Sequence, residues 1–129
     1  MAVLGCGGAA QYGSFIEEKP QVQAAIGTDA AKKLARNYPA ERHKIWVAQQ
    51  TEDAFGRGFA AALREQGYAV ETGEEQGPGP KLAVRYVLDA VKGTPLLRLT
   101  LYVQRRRLSR AYAERPDGLY PAGPWVGER

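Results

Sequence analysis

Residues 81–112 read KLAVRYVLDAVKGTPLLRLTLYVQRRRLSRAY. Leu82, Val84, Tyr86 and Leu88 alternate with Ala83, Arg85, Val87 and Asp89, a period of two that sends successive side chains to opposite faces of a strand. Lys92-Gly93-Thr94 supplies a turn. Leu97, Leu99, Leu101 and Val103 then alternate with Arg98, Thr100, Tyr102 and Gln104. A second turn near Arg105-Arg106 leads into Leu108, Arg110 and Tyr112, alternating with Ser109, Ala111 and Ala113. The pattern predicts a three-stranded antiparallel meander with one dry and one wet face. Arg85, Arg98, Tyr102 and Arg110 are expected on the wet face.

Upstream the period changes. Val22, Ile26, Ala30 and Leu34 recur every fourth residue, which stacks them on one side of a helix. Gly27-Thr28 interrupts this run, so the helix either begins at Asp29 behind a Thr28 cap or runs through from about Gln21. It stops near Asn37-Tyr38, because Pro39 disfavours helical backbone in the residue before it. Ile45-Trp46-Val47 is strand-like. Thr51 is expected to cap a second helix over 52–66, with Glu52 and Asp53 on its positive end and Phe55, Phe59, Ala62 and Leu63 as its apolar stripe. Gly67 stands where a left-handed cap ends a helix, and Tyr68-Ala69-Val70 is the next strand. The second helix is long enough for a right-handed crossover, which makes strands 45–49 and 68–71 parallel neighbours.

The fold class is therefore α+β, a two-layer sandwich. Two helices pack on a mostly antiparallel sheet of about five strands, in the order α-β-α-β-β-β-β. Residues 21–129 form one domain, within which Thr72 to Pro80 is a mobile, turn-rich loop. Residues 1–20 form an N-terminal segment with a flexible, Gly-rich tether from Gly5 to Ser14. Pro116-Asp117-Gly118 is a turn, and Leu119 to Trp125 is an aromatic tail with no evident regular element.

Composition narrows the function. One cysteine allows no intrachain disulfide, and with one histidine it leaves almost no ligands for zinc. No run approaches the roughly 18 apolar residues of a membrane-spanning helix. Residues 1–80 carry 8 Lys/Arg against 10 Asp/Glu, whereas residues 81–129 carry 10 against 4. A basic second half suits nucleic acid, anionic lipid or an acidic partner.

No catalytic constellation emerges. His43 lacks a nucleophile or carboxylate at a telling spacing. Glu17-Glu18, Glu52-Asp53 and Glu74-Glu75 are sequence neighbours rather than carboxylates opposed across a cleft. The glycines of 73–79 lack the Lys-Ser/Thr of a phosphate-binding loop. No cofactor, metal or small-molecule substrate is expected. Partner contact is assigned to Arg98, Arg105, Arg106, Arg107 and Arg110, and to Tyr120 and Trp125 as aromatic anchors. A charged hairpin tip that blunts sheet aggregation is the simpler account of the arginines. Contact of this hairpin with nucleic acid is the second reading.

Cys6 follows Val3-Leu4-Gly5, the shape of a bacterial lipoprotein cleavage site, in which the thiol accepts a diacylglycerol; on these four residues alone an ordinary N-terminal free thiol is the alternative. Five residues are too few for the basic start and apolar stretch of a secretory signal, so a shortened form of a longer precursor is expected.

Several segments together resemble the TrbH family of conjugal transfer lipoproteins. They are Gly5-Cys6 followed by Tyr12-Gly13-Ser14-Phe15; Leu34 to Pro39; Asp53-Ala54-Phe55-Gly56 with Leu63 to Tyr68; and Leu108 to Tyr112 with Leu119 to Gly123. The resemblance implies a non-catalytic component of a type IV secretion, mating-pair-formation apparatus. It implies lipid attachment at Cys6 and contact with other channel subunits. Gly7, where inner-membrane retention uses Asp, points by the usual lipoprotein sorting pattern to the periplasmic face of the outer membrane.

Overall fold

The computed structural model describes residues 12–128. Among these are β1 (Gly13–Ser14), α1 (Pro20–Asn37), β2 (Ile45–Val47), α2 (Ala54–Glu65) and β3 (Val70–Thr72). The meander follows as β4 (Leu82–Ala90), β5 (Leu96–Val103) and β6 (Arg106–Arg115), then β7 (Gly118–Pro121) and β8 (Val126–Glu128). The α+β class holds. The sheet has eight strands rather than about five, in the order β3-β2-β4-β5-β6-β7, with β1 added beside β4 and β8 beside β6.

The extra strands come from segments that carry no periodic pattern. Gly13 and Ser14, at the end of the stretch read as a tether, pair in parallel with Val87 and Leu88. The aromatic tail supplies most of β7, opposite Tyr112 to Arg115, and the residues that follow it supply β8, opposite Arg107 to Ser109. Strands this short have little signal of their own; an existing edge supplies the hydrogen-bond partners that order them.

The crossover is as expected: β2 pairs in parallel with β3, and also with β4, in the register Ile45↔Leu82. The β5–β6 hairpin closes on Gln104-Arg105, one residue earlier than the arginine run suggests, between the paired Val103 and Arg106. Gln104 takes φ 55°, a positive value of the kind that two-residue hairpin loops require.

α1 runs unbroken through Gly27-Thr28. Gly27 is a contact point, not a break. A Cβ there would stand 2.9 Å from the backbone nitrogen of Phe59, and one at Gly58 would stand 3.2 Å from Cα of Ala24. The two helices therefore cross backbone to backbone. α2 is capped by Asp53 rather than Thr51: its carboxylate accepts from the Gly56 amide at 2.7 Å. Gly67, at φ 100°, closes the C-terminal end, with the Tyr68 amide donating back to the Leu63 carbonyl.

The core lies between the helices and one face of the sheet. Ile26, Leu34, Phe55, Phe59 and Leu63 from the helices meet Ile45, Val84, Tyr86, Leu88, Leu99, Leu101 and Tyr112, all fully or almost fully buried. Phe55, Phe59 and Tyr86 form an aromatic cluster with ring centroids 4.6 to 6.2 Å apart. Two strand tyrosines anchor the layers with polar tips. The Tyr86 hydroxyl donates to Asp53 at 2.8 Å and the Tyr112 hydroxyl to Asp29 at 2.6 Å. Burial, reinforced by each carboxylate, pushes both phenols well above their ordinary range.

Gln23 is the buried polar residue of α1. Its amide nitrogen donates to Ser14 Oγ at 3.1 Å and to Glu18 at 3.2 Å, and its carbonyl oxygen accepts from the Lys19 amide at 2.8 Å. Glu18 also accepts from the first amide of α2, at Ala54. The segment after β1 is thereby fastened to both helices.

Candidate functional site

The parallel registers gather the starts of β2 and β4 at one end of the sheet. There they meet the end of β5, the start of β6 and the segment that leaves α1. Arg42, His43 and Lys44 thus reach the same end as Lys81, Gln104, Arg105 and Arg106. Two shallow concavities open there. One of about 530 Å³ is lined by Tyr38, Ala83, Arg85, Val103, Gln104, Arg105 and Arg106. The other, of about 290 Å³, is lined by Arg42, His43, Lys44, Pro80, Lys81, Leu82 and Gln104.

The groups at this end are held in different ways. Arg42 and Arg105 are exposed. Arg106 is also exposed, with one guanidinium nitrogen 3.4 Å from the Tyr38 hydroxyl. His43 is half-buried, its Nδ1 2.9 Å from the Pro39 carbonyl and its ring edge-on to Tyr38. That makes it part of the turn out of α1. Arg85 lies over the ring of Tyr12, 5.6 Å from its centroid, and Tyr12 meets Tyr102 edge to face at 5.4 Å.

Lys81 organises the loop that follows β3. Its side chain is almost fully buried, and its ammonium donates to the Gln76 and Gly77 carbonyls at 2.6 and 2.7 Å and to Glu71 at 3.0 Å, with Glu75 at 3.3 Å. Burial pulls this ammonium's pKa down, but Glu71 and Glu75 outweigh it, and the net shift is upward. Glu71 also pairs with Lys44 at 2.6 Å. That hydrogen bond, seconded by Lys81, holds the carboxyl at a pKa of about 2.

The arginines assigned to a single contact surface divide among three places. Arg105, Arg106 and Arg107 are exposed at and beside the hairpin tip. Arg98 lies near the far end of β5, roughly 20 Å from the tip at a strand's rise per residue. It is paired with Asp89 at 3.0 Å on the sheet face that no helix covers. Arg110 is not on that wet face. It shares the helix side with Leu108 and Tyr112, bonds Asp29 and the Gly123 carbonyl, each at 2.8 Å, and lies 5.7 Å from the Trp125 ring centroid. It is a clamp that fastens the tail to α1, and Trp125 packs against the core rather than projecting as an anchor. Tyr120 is part exposed, with its hydroxyl on Asp117 at 2.9 Å and Arg115 over its ring at 5.3 Å. Cys6 lies outside the described residues.

Arg42 and Lys44 join the basic end although sequence reading did not select them, and Arg85, expected on the wet face, joins it too. The signal was present in the crossover itself, since parallel strands begin at the same end of a sheet and so collect whatever precedes them. Among the described residues no cluster of three or more His, Cys, Asp or Glu side chains could hold a metal ion. No described helix is long and apolar enough to cross a membrane. What the basic end is equipped to do is attract and hydrogen-bond anionic groups.

No curated protein and no solved structure matches this chain. Residues 9–129 do match the family model described as conjugal transfer protein TrbH, which spans nearly the whole sequence and includes both the meander and the tail strands, and on that basis the chain belongs to the TrbH family of conjugal transfer proteins.

Proposed function

We propose that the protein is a non-catalytic, lipid-anchored subunit of a conjugative type IV secretion apparatus. It is held through Cys6 at the periplasmic face of the outer membrane and binds neighbouring channel subunits. The observation that carries the reading is the spacing of Cys6 in its lipoprotein-like setting, six residues before the first described residue of the fold, within a conjugal transfer family. The acyl chains of a lipoprotein retain a domain far more firmly than the marginal binding that a single chain provides. Short edge strands at β3 on one side and at β7 and β8 on the other suit recruitment of a partner's extended segment.

The test is fractionation of cells that express the gene with its upstream codons. Wild type should sediment with outer membranes, and Cys6→Ser should appear in the soluble periplasm. Equal membrane retention of the variant would refute the anchor.

Nucleic-acid binding by the arginine-rich hairpin is the second reading, favoured by the exposure of Arg105 and Arg106. It is weakened by the placement of Arg98 and Arg110, which are engaged elsewhere. Phosphate contacts would make such binding fall steeply with salt, whereas a packed subunit contact would change little.

A further inference from the structure

The chain enters the fold pointing toward the basic end. β1 runs parallel to β4, in the register Gly13↔Val87. Traced backwards from Ser14, the backbone therefore heads toward the start of β4, and Tyr12 lands between Arg85 and Tyr102. Cys6 is six residues earlier, so it lies within about 20 Å of Tyr12 even with the chain fully extended.

Charge is sorted along the same axis. Toward the start of β4 stand Arg42, Arg85, Arg105 and Arg106; of the nearby acids, Glu71 pairs with Lys44 and Lys81, exposed Glu75 pairs with Lys81, and Glu41 and Glu65 are exposed on the helix side. At the opposite end, where both helices begin, the charges are mixed: Glu17, Glu18, Glu52, Glu114 and Asp117 face solvent with Lys19, Arg57, Lys92, Arg98 and Arg115 among them.

We infer that the basic end is a membrane-facing surface. Arg42, Arg85, Arg105 and Arg106 lie against the phosphates of anionic phospholipid headgroups, and this fixes the orientation of the tethered domain. The end of mixed charge and both sheet edges are then presented to partners. The inference rests on anchoring through Cys6: a short leash holds this end within a Debye length or two of the bilayer, where each arginine contributes. A polar surface opposite would instead let the domain tumble on its leash.

The test uses the full chain with its thiol alkylated, so that binding does not depend on acylation. Vesicles of phosphatidylcholine alone are compared with vesicles that also contain phosphatidylglycerol. The chain should bind the anionic vesicles, progressively less as salt rises, and ignore the neutral ones. Reversing two tip charges, Arg105→Glu with Arg106→Glu, should weaken binding by about thirtyfold or more, from the contribution of a surface arginine near anionic lipid. The matched reversal at the other end, Lys92→Glu with Arg115→Glu, should leave it within about threefold. Equal losses from the two pairs would mean that net charge alone is responsible, and would overturn the inference. So would competition by inorganic phosphate at constant ionic strength, which would mark a free-phosphate site. So would a single-stranded DNA that binds through the tip while vesicles do not. Failure here leaves the Cys6→Ser fractionation result standing, and failure of that fractionation leaves the vesicle result standing.

Discussion

The two faces of the sheet are built on different physics. The covered face is dry and interlocked: Tyr86, Leu88, Leu99 and Leu101 are fully buried beneath helices that themselves touch backbone to backbone at Gly27 and Phe59. Polar tips reach into it in closed groups, Tyr86 with Asp53, and Tyr112 and Arg110 with Asp29. The open face carries cross-strand charge and ring pairs instead: Asp89 with Arg98, Arg85 with Tyr12, and Glu71 with Lys44 and Lys81. Shape specifies the first face and solvated charge the second, so substitutions on the covered side should cost far more.

The largest effect is expected at the helix crossing. In an ordinary exposed helix Gly→Ala stabilises by about 1 kcal/mol. At Gly27 the sign should reverse, because the new methyl would meet the Phe59 backbone, which has little room to yield. Gly27→Ala should lose about 2–3 kcal/mol in urea unfolding, an overpacking cost. A gain in stability would show that the crossing is looser than described.

Next comes Tyr112→Phe. It removes the hydroxyl that donates to Asp29 but leaves the ring and the Arg110 contact, so a loss of about 1.5–2 kcal/mol is expected, in the range for a hydrogen bond to a charged group. A neutral result would place the tail clamp wholly in the Arg110–Asp29 pair.

A smaller effect, dependent on pH, should come from the open face. Glu71 has a folded pKa of about 2, below its ordinary value of 4.5. A depressed carboxyl contributes stability that is fully present above the unfolded pKa and lost as pH falls from about 4.5 through 2. The difference in urea midpoint between wild type and Glu71→Gln should therefore be greatest near neutrality and shrink toward pH 2. A constant difference across that window would mean that Lys44 and Lys81 do not set the carboxyl's affinity for protons.

The smallest effect is expected at Arg98→Ala. The Arg98–Asp89 pair is substantially exposed, and such pairs contribute about 0–1 kcal/mol. A loss well above that would mean that the open face is stiffer than its exposure implies.

The same contrast explains what could be read in advance. Alternation in 82–103 reports burial residue by residue, because period-two chemistry and a one-sided sheet are the same fact. The first helix stripe and the Gly67 cap were legible for the same local reason. Thr51 and Asp53 both have side chains suited to a cap, and only the approach of Tyr86 and the path out of β2 select Asp53. Gly27 leaves two helix starts open in the sequence, because its missing Cβ can be explained by local flexibility or by a neighbour, and no local pattern separates the two. Arg110 alternates with the exposed set in charge but with the buried set in position; its partner Asp29 is 81 residues away.

Composition and periodicity by themselves determined the α+β class, the meander, the parallel crossover and the basic bias of the second half. Each of these follows from forces that act between near neighbours or on one face of one element. The tertiary structure alone decided that the segments from Gly118 onward become two edge strands, that the helices meet at glycine, that Arg110 turns inward, and that Arg42, Arg85 and Arg105 gather at the end from which β4 starts. Those outcomes depend on which distant segments supply hydrogen bonds, space or opposite charge, and such partners exist only once the chain has closed on itself.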